Sequence, residues 1–208
     1  MSVTPVIVLS VSLCGAAAHG QLLSNSFESH SATETQFNRT NAQLGATLPG
    51  VTGFGGATEI DLITFPGFAG ATPIRGNWML GLHANFDNLP VDAFSMALSA
   101  PVVTGGIYQL TMVGFQGSAG SPGTIELGLS NDPGQFGAPL ASFTPNAAWG
   151  WNGFQVNFLA LNDGAYLTVR VSGDNSYVLV DDFVLTPTPG AAVLMGLGGL
   201  AAVCRRRS

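Results

Sequence analysis

The sequence predicts an all-β domain built as a sandwich of two antiparallel sheets. Three observations carry that expectation. Several segments alternate apolar and polar residues with a period of two, as strands buried on one face do. Short runs of Gly, Asn, Asp, Pro and Ser separate them, supplying the positive φ angles and side-chain hydrogen bonds that tight reversals need. No long stretch repeats apolar residues at helical spacing, in a chain with 28 Gly, 12 Pro and only 9% charged residues, so helices are poorly supported.

In chain order, strands are expected near residues 25–28, 59–65, 78–83, 93–98, 107–115, 124–129, 140–143, 153–160, 166–171 and 177–185. The alternation is cleanest in residues 124–130, where Ile125, Leu127 and Leu129 oppose Glu126 and Ser130. Tyr108, Leu110 and Met112 oppose Gln109 and Thr111, and Phe154, Val156, Phe158 and Ala160 oppose Gln155 and Asn157. Leu167, Val169 and Val171 likewise oppose Thr168 and Arg170, while residues 177–185 are apolar on both faces. Turns fall at Gly105-Gly106, at Asn131-Asp132-Pro133-Gly134, at Asn162-Asp163-Gly164 and at Gly173-Asp174-Asn175-Ser176. Many short strands with frequent turns make a sandwich. Residues 29–56 show no period and are expected to be loop.

The ends read differently from the middle. Residues 1–20 hold an apolar run from Val6 to Leu13 and then small residues, the pattern of a secretory signal peptide, although no Lys or Arg precedes the run,. Residues 187–208 hold Pro187-Thr188-Pro189, an apolar run from Ala191 to Cys204 expected to be a short helix, and Arg205, Arg206 and Arg207. That run is shorter than the roughly 20 residues of a membrane span. The basic cluster would keep the C-terminus on the cytoplasmic side, with contact to the inner membrane only transient. Residues 21–186 remain as one domain. Both cysteines, Cys14 and Cys204, lie outside it, so no disulfide is expected within it.

Charge narrows the partners. All twelve acids lie between Glu28 and Asp182, against three cations, Arg39, Arg75 and Arg170. The domain therefore carries nine net negative charges, which the three terminal Arg bring to the −6 of the whole chain; there is no lysine. Such a surface cannot neutralise a row of phosphates, which argues against nucleic acid and polyanionic glycans. Neutral sugars, or divalent cations held by carboxylates, remain.

Sugar binding needs a flat aromatic ring beside polar groups. Trp149 and Trp151 lie on one side if that segment is extended, with Asn152 and Asn146 nearby,; the alternative is that the pair is core, as is expected of Trp78. No catalytic residue is expected. Only His30 and His83 lie in the domain, neither in a metal-ligand spacing nor beside a nucleophile motif,. The acids fix no glycosidase pair by spacing. Residues 53–56 (Gly-Phe-Gly-Gly) lack the context of a nucleotide loop and are read as a turn.

Two resemblances add to this reading. The tail motif Pro187-Thr188-Pro189, the apolar run and Arg205 to Arg207 resemble the PEP-CTERM sorting signal, which implies processing by an exosortase-like enzyme and delivery to the cell surface or extracellular matrix. Thr188 stands where the commonest form has Glu. The segments Asn25-Ser26-Phe27-Glu28, Gly106 to Leu110 and Tyr177 to Leu185 resemble the β-jelly-roll of carbohydrate-binding modules and galactose-binding-like domains. That likeness implies a calcium ion, held structurally near the first and last strands, with Glu28 and Asp181 or Asp182 as ligands. The alternative is that these acids cap a strand end, or that Arg170 satisfies one of them. Together the readings imply an exported, non-catalytic β-sandwich that binds neutral glycan in an extracellular polysaccharide. A structural or adhesive matrix protein contacting other proteins, and a glycoside hydrolase, are the alternatives.

Overall fold

The computed structural model describes residues 20–55, 60–84, 91–117, 122–146 and 150–188. Residues 1–19 of the expected leader (1–20), Trp149, Pro189, and the tail run with Arg205, Arg206 and Arg207 lie outside the described residues. Twelve strands and one helix follow in order: β1 (Leu23–Asn25), β2 (Gln36–Arg39), α1 (Asn41–Thr47), β3 (Val51–Gly55), β4 (Ile60–Thr64), β5 (Trp78–Ala84), β6 (Asp92–Val102), β7 (Ile107–Gln116), β8 (Thr124–Ser130), β9 (Ala138–Phe143), β10 (Asn152–Leu159), β11 (Gly164–Ser172) and β12 (Ser176–Pro187).

They form the expected sandwich of antiparallel sheets. One sheet has seven strands, ordered β10-β7-β12-β5-β4-β2 with β1 paired to β12; the other has five, ordered β3-β6-β11-β8-β9. The period-two residues face inward as expected. Leu110 and Met112 of β7, Val178 and Val180 of β12, and Leu80 and Leu82 of β5 meet Ile125 and Leu127 of β8, Leu167 and Val169 of β11, and Phe94 and Met96 of β6 in one core. Three rings, Phe27, Phe94 and Phe183, touch one another edge to face at 6.1 Å each. Edge-to-face pairs add about 0.5–1.5 kcal/mol beyond the area they bury.

Phe183 reaches that cluster because β12 carries a bulge. Asp181 pairs with Val113 and Val184 with Thr111, so two residues of β12 oppose one of β7. Asp182 takes the extra position with φ 53°. The insertion shifts the side-chain alternation, turning Phe183 inward. This is one reason residues 177–185 look apolar on both faces.

The first strand is earlier than expected, at Leu23–Asn25. The Asn25 side chain accepts from the Phe27 amide at 2.9 Å and Phe27 has φ 58°, so the chain turns there and leaves Glu28 outside the sheet. Residues 29–56 are not simply loop: they contain β2, α1 and β3. Each is too short to display a period. Helix α1 buries only Leu44 and starts on a capping box, in which Thr40 Oγ1 accepts from the Gln43 amide (3.1 Å) and Gln43 Oε1 from the Thr40 amide (3.0 Å),. At the other end, β12 runs through Pro187, and both the amide (2.9 Å) and the hydroxyl (3.0 Å) of Thr188 donate to the Ile107 carbonyl.

If the ring trio is the centre of the core, Phe27→Ala costs about 3–5 kcal/mol of folding free energy. Urea unfolding measures it; a loss below about 1 kcal/mol contradicts the assignment.

Candidate functional site

The outer face of the seven-stranded sheet carries a second, smaller apolar cluster. Ile63 of β4, Met79 of β5, Phe115 of β7 and Tyr177 and Leu179 of β12 all point away from the main core and are buried with Ala71. What covers them is the β4–β5 connection, residues 65–77, which lies across the sheet as a strap. Seven contacts fasten it. Asp181 Oδ2 accepts from the amides of Ile74 (3.1 Å) and Arg75 (3.2 Å), and the Arg75 guanidinium pairs with Asp182 at 2.9 Å. Glu28 Oε1 accepts from the amides of Asn77 and Trp78, both at 2.8 Å. Trp151 Nε1 donates to the Thr72 carbonyl at 2.8 Å, and Phe68 sets its ring edge to face against Tyr177 at 5.7 Å. Gly76, at φ +77°, is required where it is, because a Cβ there would run into the Glu28 carboxylate,.

Two open depressions adjoin the strap. The first, about 350 Å³, is lined by Asn38, Asp61, Phe68, Ala69, His83, Gly117 and Tyr177. Tyr177 lies over Gly81, where any side chain would meet its hydroxyl, and donates to Asp61 Oδ2 at 2.6 Å. Asp61 Oδ1 accepts from the Asn38 amide at 2.7 Å. Burial, and then the Asp61 charge, push the Tyr177 hydroxyl far above its ordinary pKa, so it stays protonated as a donor,. At the rim, Phe37 and Phe68 are 48% and 41% exposed and meet edge to face at 5.3 Å. The second depression, about 380 Å³, lies over β7 and β10 and is lined by Thr111, Met112, Val113, Gly153, Phe154, Gln155 and Asp182.

The structure places the anticipated residues as follows. Trp151 is half-buried against Phe115, with ring centroids 5.7 Å apart, and its indole anchors the strap. Asn152 folds its own turn, donating to the Gly150 carbonyl (2.7 Å) and accepting from the Asn146 amide (3.2 Å). Trp78 is core, with its ring against His30 at 4.3 Å. Glu28, Asp181 and Asp182 all act on residues 74–78, but each meets N–H donors there. Among the described residues no three His, Cys, Asp or Glu side chains group closely enough to hold a metal ion by themselves, so a calcium ion at these acids would need backbone carbonyls as well. Arg170 pairs with Glu126 at 2.6 Å, not with these acids.

Sequence reasoning did not pick out Phe37, Phe68, Asp61 or Tyr177 as a group. Phe37 sits in a segment without period, and Phe68 in a loop. The available signal was an acid, Asp61, inside the apolar run Ile60–Thr64: a buried carboxylate needs donors.

Asp181 has no exposed surface. Burial pushes its carboxyl up to about 6, against the lowering effect of the Arg75, Asp182 and Ile74 amides. Its folded-state pKa therefore lies above the unfolded value. The penalty for holding the charge is present above pH 6 and relieved as pH falls toward 4, by about 3 kcal/mol at most. Relative to Asp181→Asn, the native protein should gain stability over that interval. Unfolding curves of both proteins from pH 7 to pH 4 read the difference; a constant gap contradicts the assignment.

No protein-family model matches the chain, and no curated protein matches it. Solved structures do resemble it. The CBM22-1–GH10 modules of the N-terminal endo-1,4-beta-D-xylanase 10B of Clostridium thermocellum, complexed with xylohexaose, superpose with a TM-score of 0.51 at 11% identity, over 82% of this chain and 29% of that one. The K2 cleaved adhesin domain of Lys-gingipain superposes with a TM-score of 0.50 at 16% identity, over 81% of this chain and 98% of that one. The CBM22-1 xylan-binding domain of Paenibacillus barcinonensis gives 0.48 at 15% identity, over 85% and 99%. At these identities the first two likenesses show the fold: a β-sandwich of the kind found in such modules.

Proposed function

We propose that this chain is an exported, non-catalytic module that binds a neutral glycan of an extracellular polysaccharide at the first depression. One observation carries the reading: the exposed Phe37–Phe68 ring pair stands beside a polar floor of Asp61, Tyr177, His83 and Asn38. A pyranose stacks its C–H face on a flat ring, while its hydroxyls need fixed acceptors and donors. Asp61 is a fixed acceptor, oriented by the Asn38 amide and the Tyr177 hydroxyl.

Charge supports a neutral ligand. Among the described residues Arg75 pairs with Asp182, Arg170 pairs with Glu126 and stacks on the Phe136 ring, and Arg39 donates to Thr47. None of the three lines the depression. The same geometry argues against catalysis, since Tyr177 is locked as a donor and Asp61 as its acceptor, leaving neither as a proton shuttle. The likeness to modules solved with xylohexaose is compatible with this reading.

A second reading is an adhesive or structural module that contacts proteins. It is favoured by Phe65 and Ile74, exposed on the outer side of the strap. Export through the leader, sorting by an exosortase-like enzyme at the Pro187-Thr188-Pro189 motif, and a structural calcium remain part of the proposal. Because Thr188 is hydrogen-bonded to Ile107, a truncation that tests sorting should fall after Thr188, so that the sheet stays whole.

The test is binding to an array of neutral glycans, with added calcium and again with chelator. A hit that Phe68→Ala and Phe37→Ala each weaken roughly tenfold, with unchanged circular dichroism, is the expected result. A hit lost in chelator adds the calcium. A blank from folded protein moves the chain to the adhesive reading.

A further inference from the structure

Among the described residues the strand orders end on β2 and β10 in one sheet and on β3 and β9 in the other, beside the three-residue β1, which pairs only with β12 and is blunted by its shortness. An edge offers unpaired backbone groups to any other strand, and edges are commonly blunted by shortness, Pro, bulges or cover. Three of the four terminal strands are blunted too. β2 has four residues, an irregular register against β4 and Asn38 at φ 54°. β3 has five residues, with α1 packed on it so closely that a Cβ on Gly53 would crowd Asn41. β9 carries Pro139, and its partner shifts register between Leu127 and Gly128.

β10 has none of these devices. Its eight residues pair with β7 without a break, from Asn152 opposite Gly114 to Leu159 opposite Ile107. It contains no Pro and no charge, and among the described residues no other strand pairs with its outer side. Its centre reads Phe154-Gln155-Val156-Asn157-Phe158. In chemical class that segment is the same in both directions.

We propose that β10 pairs antiparallel with β10 of a second copy of this chain, about a two-fold axis through Val156 and normal to the sheet. Symmetry of this kind brings the same patch of both copies together. In that register Phe154 lies opposite Phe158 of the second copy on the core side, where both rings are half-buried: Phe154 stacks on Phe143 at 5.1 Å and Phe158 on Tyr108 at 5.7 Å. On the outer side Gln155 lies opposite Asn157 of the second copy. The Gln109–Asn157 hydrogen bond at 3.1 Å is already the first rung of the amide ladder this pairing would continue. Leu159, 55% exposed, meets Gly153, around which there is open space. Aromatic pairs and amide pairs set directly across two strands favour their pairing. The two seven-stranded sheets become one, with their outer faces on the same side. This interface does not depend on the glycan reading.

The test is sedimentation equilibrium of the full chain. The native protein should associate as a dimer. Gln155→Lys with Asn157→Lys sets like charges opposite each other at both outer contacts and should weaken association at least tenfold, with circular dichroism unchanged. Gln155→Lys with Asn157→Glu sets opposite charges there and should restore it. A native chain that stays monomeric at about 100 μM, or a dimer that neither double substitution alters, overturns the proposal. So does equal weakening by both, which would mean the two positions do not face each other.

Discussion

Asp181 sits in an interior strand of the seven-stranded sheet, out of contact with water, and its outer oxygen accepts from two consecutive amides of the strap. The rest of the outer face follows from that contact. With the strap held down, Ile63, Met79 and Leu179 are dry and Phe68 is brought against Tyr177. The bulge beside Asp181 belongs to the same arrangement. It places Asp182 where it can pair with Arg75 and sends Phe183 into the main core. One irregular stretch of β12 therefore sets both the inside and the outside of the sheet. It also carries a cost, since a charge is held in an apolar setting at neutral pH.

Much of the sandwich was legible in the sequence. Strands that alternate strictly, such as β7, β8 and β10, could be placed within a residue or two, because each buries one face and the period shows it. Elements without a buried face of their own were not legible. Helix α1 buries a single residue, and β2 and β3 are too short for any pattern. The Thr40–Gln43 capping box was the one local signal in that stretch. The site shows the same division. Glu28, Asp181 and Asp182 stood out through the jelly-roll resemblance, and for the two in the apolar run of β12 the need for donors was itself legible. The identity of the donor is a tertiary fact: the amides that satisfy Asp181 lie more than a hundred positions away. Trp151 stood out as a large aromatic near Asn152, and the fold uses its indole to hold the strap.

The chemistry of the outer face is consistent across its parts. No Arg lines the depression, its exposed rings are phenylalanines, and its buried hydroxyl is fixed in direction. A surface of that kind suits a polyhydroxy ligand without charge. Joined edge to edge through β10, two such faces would present two depressions to one polymer, and linked sites gain avidity without any new contact. That arrangement suits a polysaccharide, in which the same unit recurs along the chain.

If the ligand sits in the depression beside the strap, it must disturb the residues that line it. The direct measurement is amide chemical-shift mapping of isotope-labelled protein titrated with neutral xylo- and galacto-oligosaccharides. The account predicts perturbations concentrated at Asn38, Phe68, Ala69, His83 and Gly117, with the Trp151 indole responding as the strap settles. Perturbations confined to the outer face of the five-stranded sheet, around Phe136 and Arg170, would contradict it.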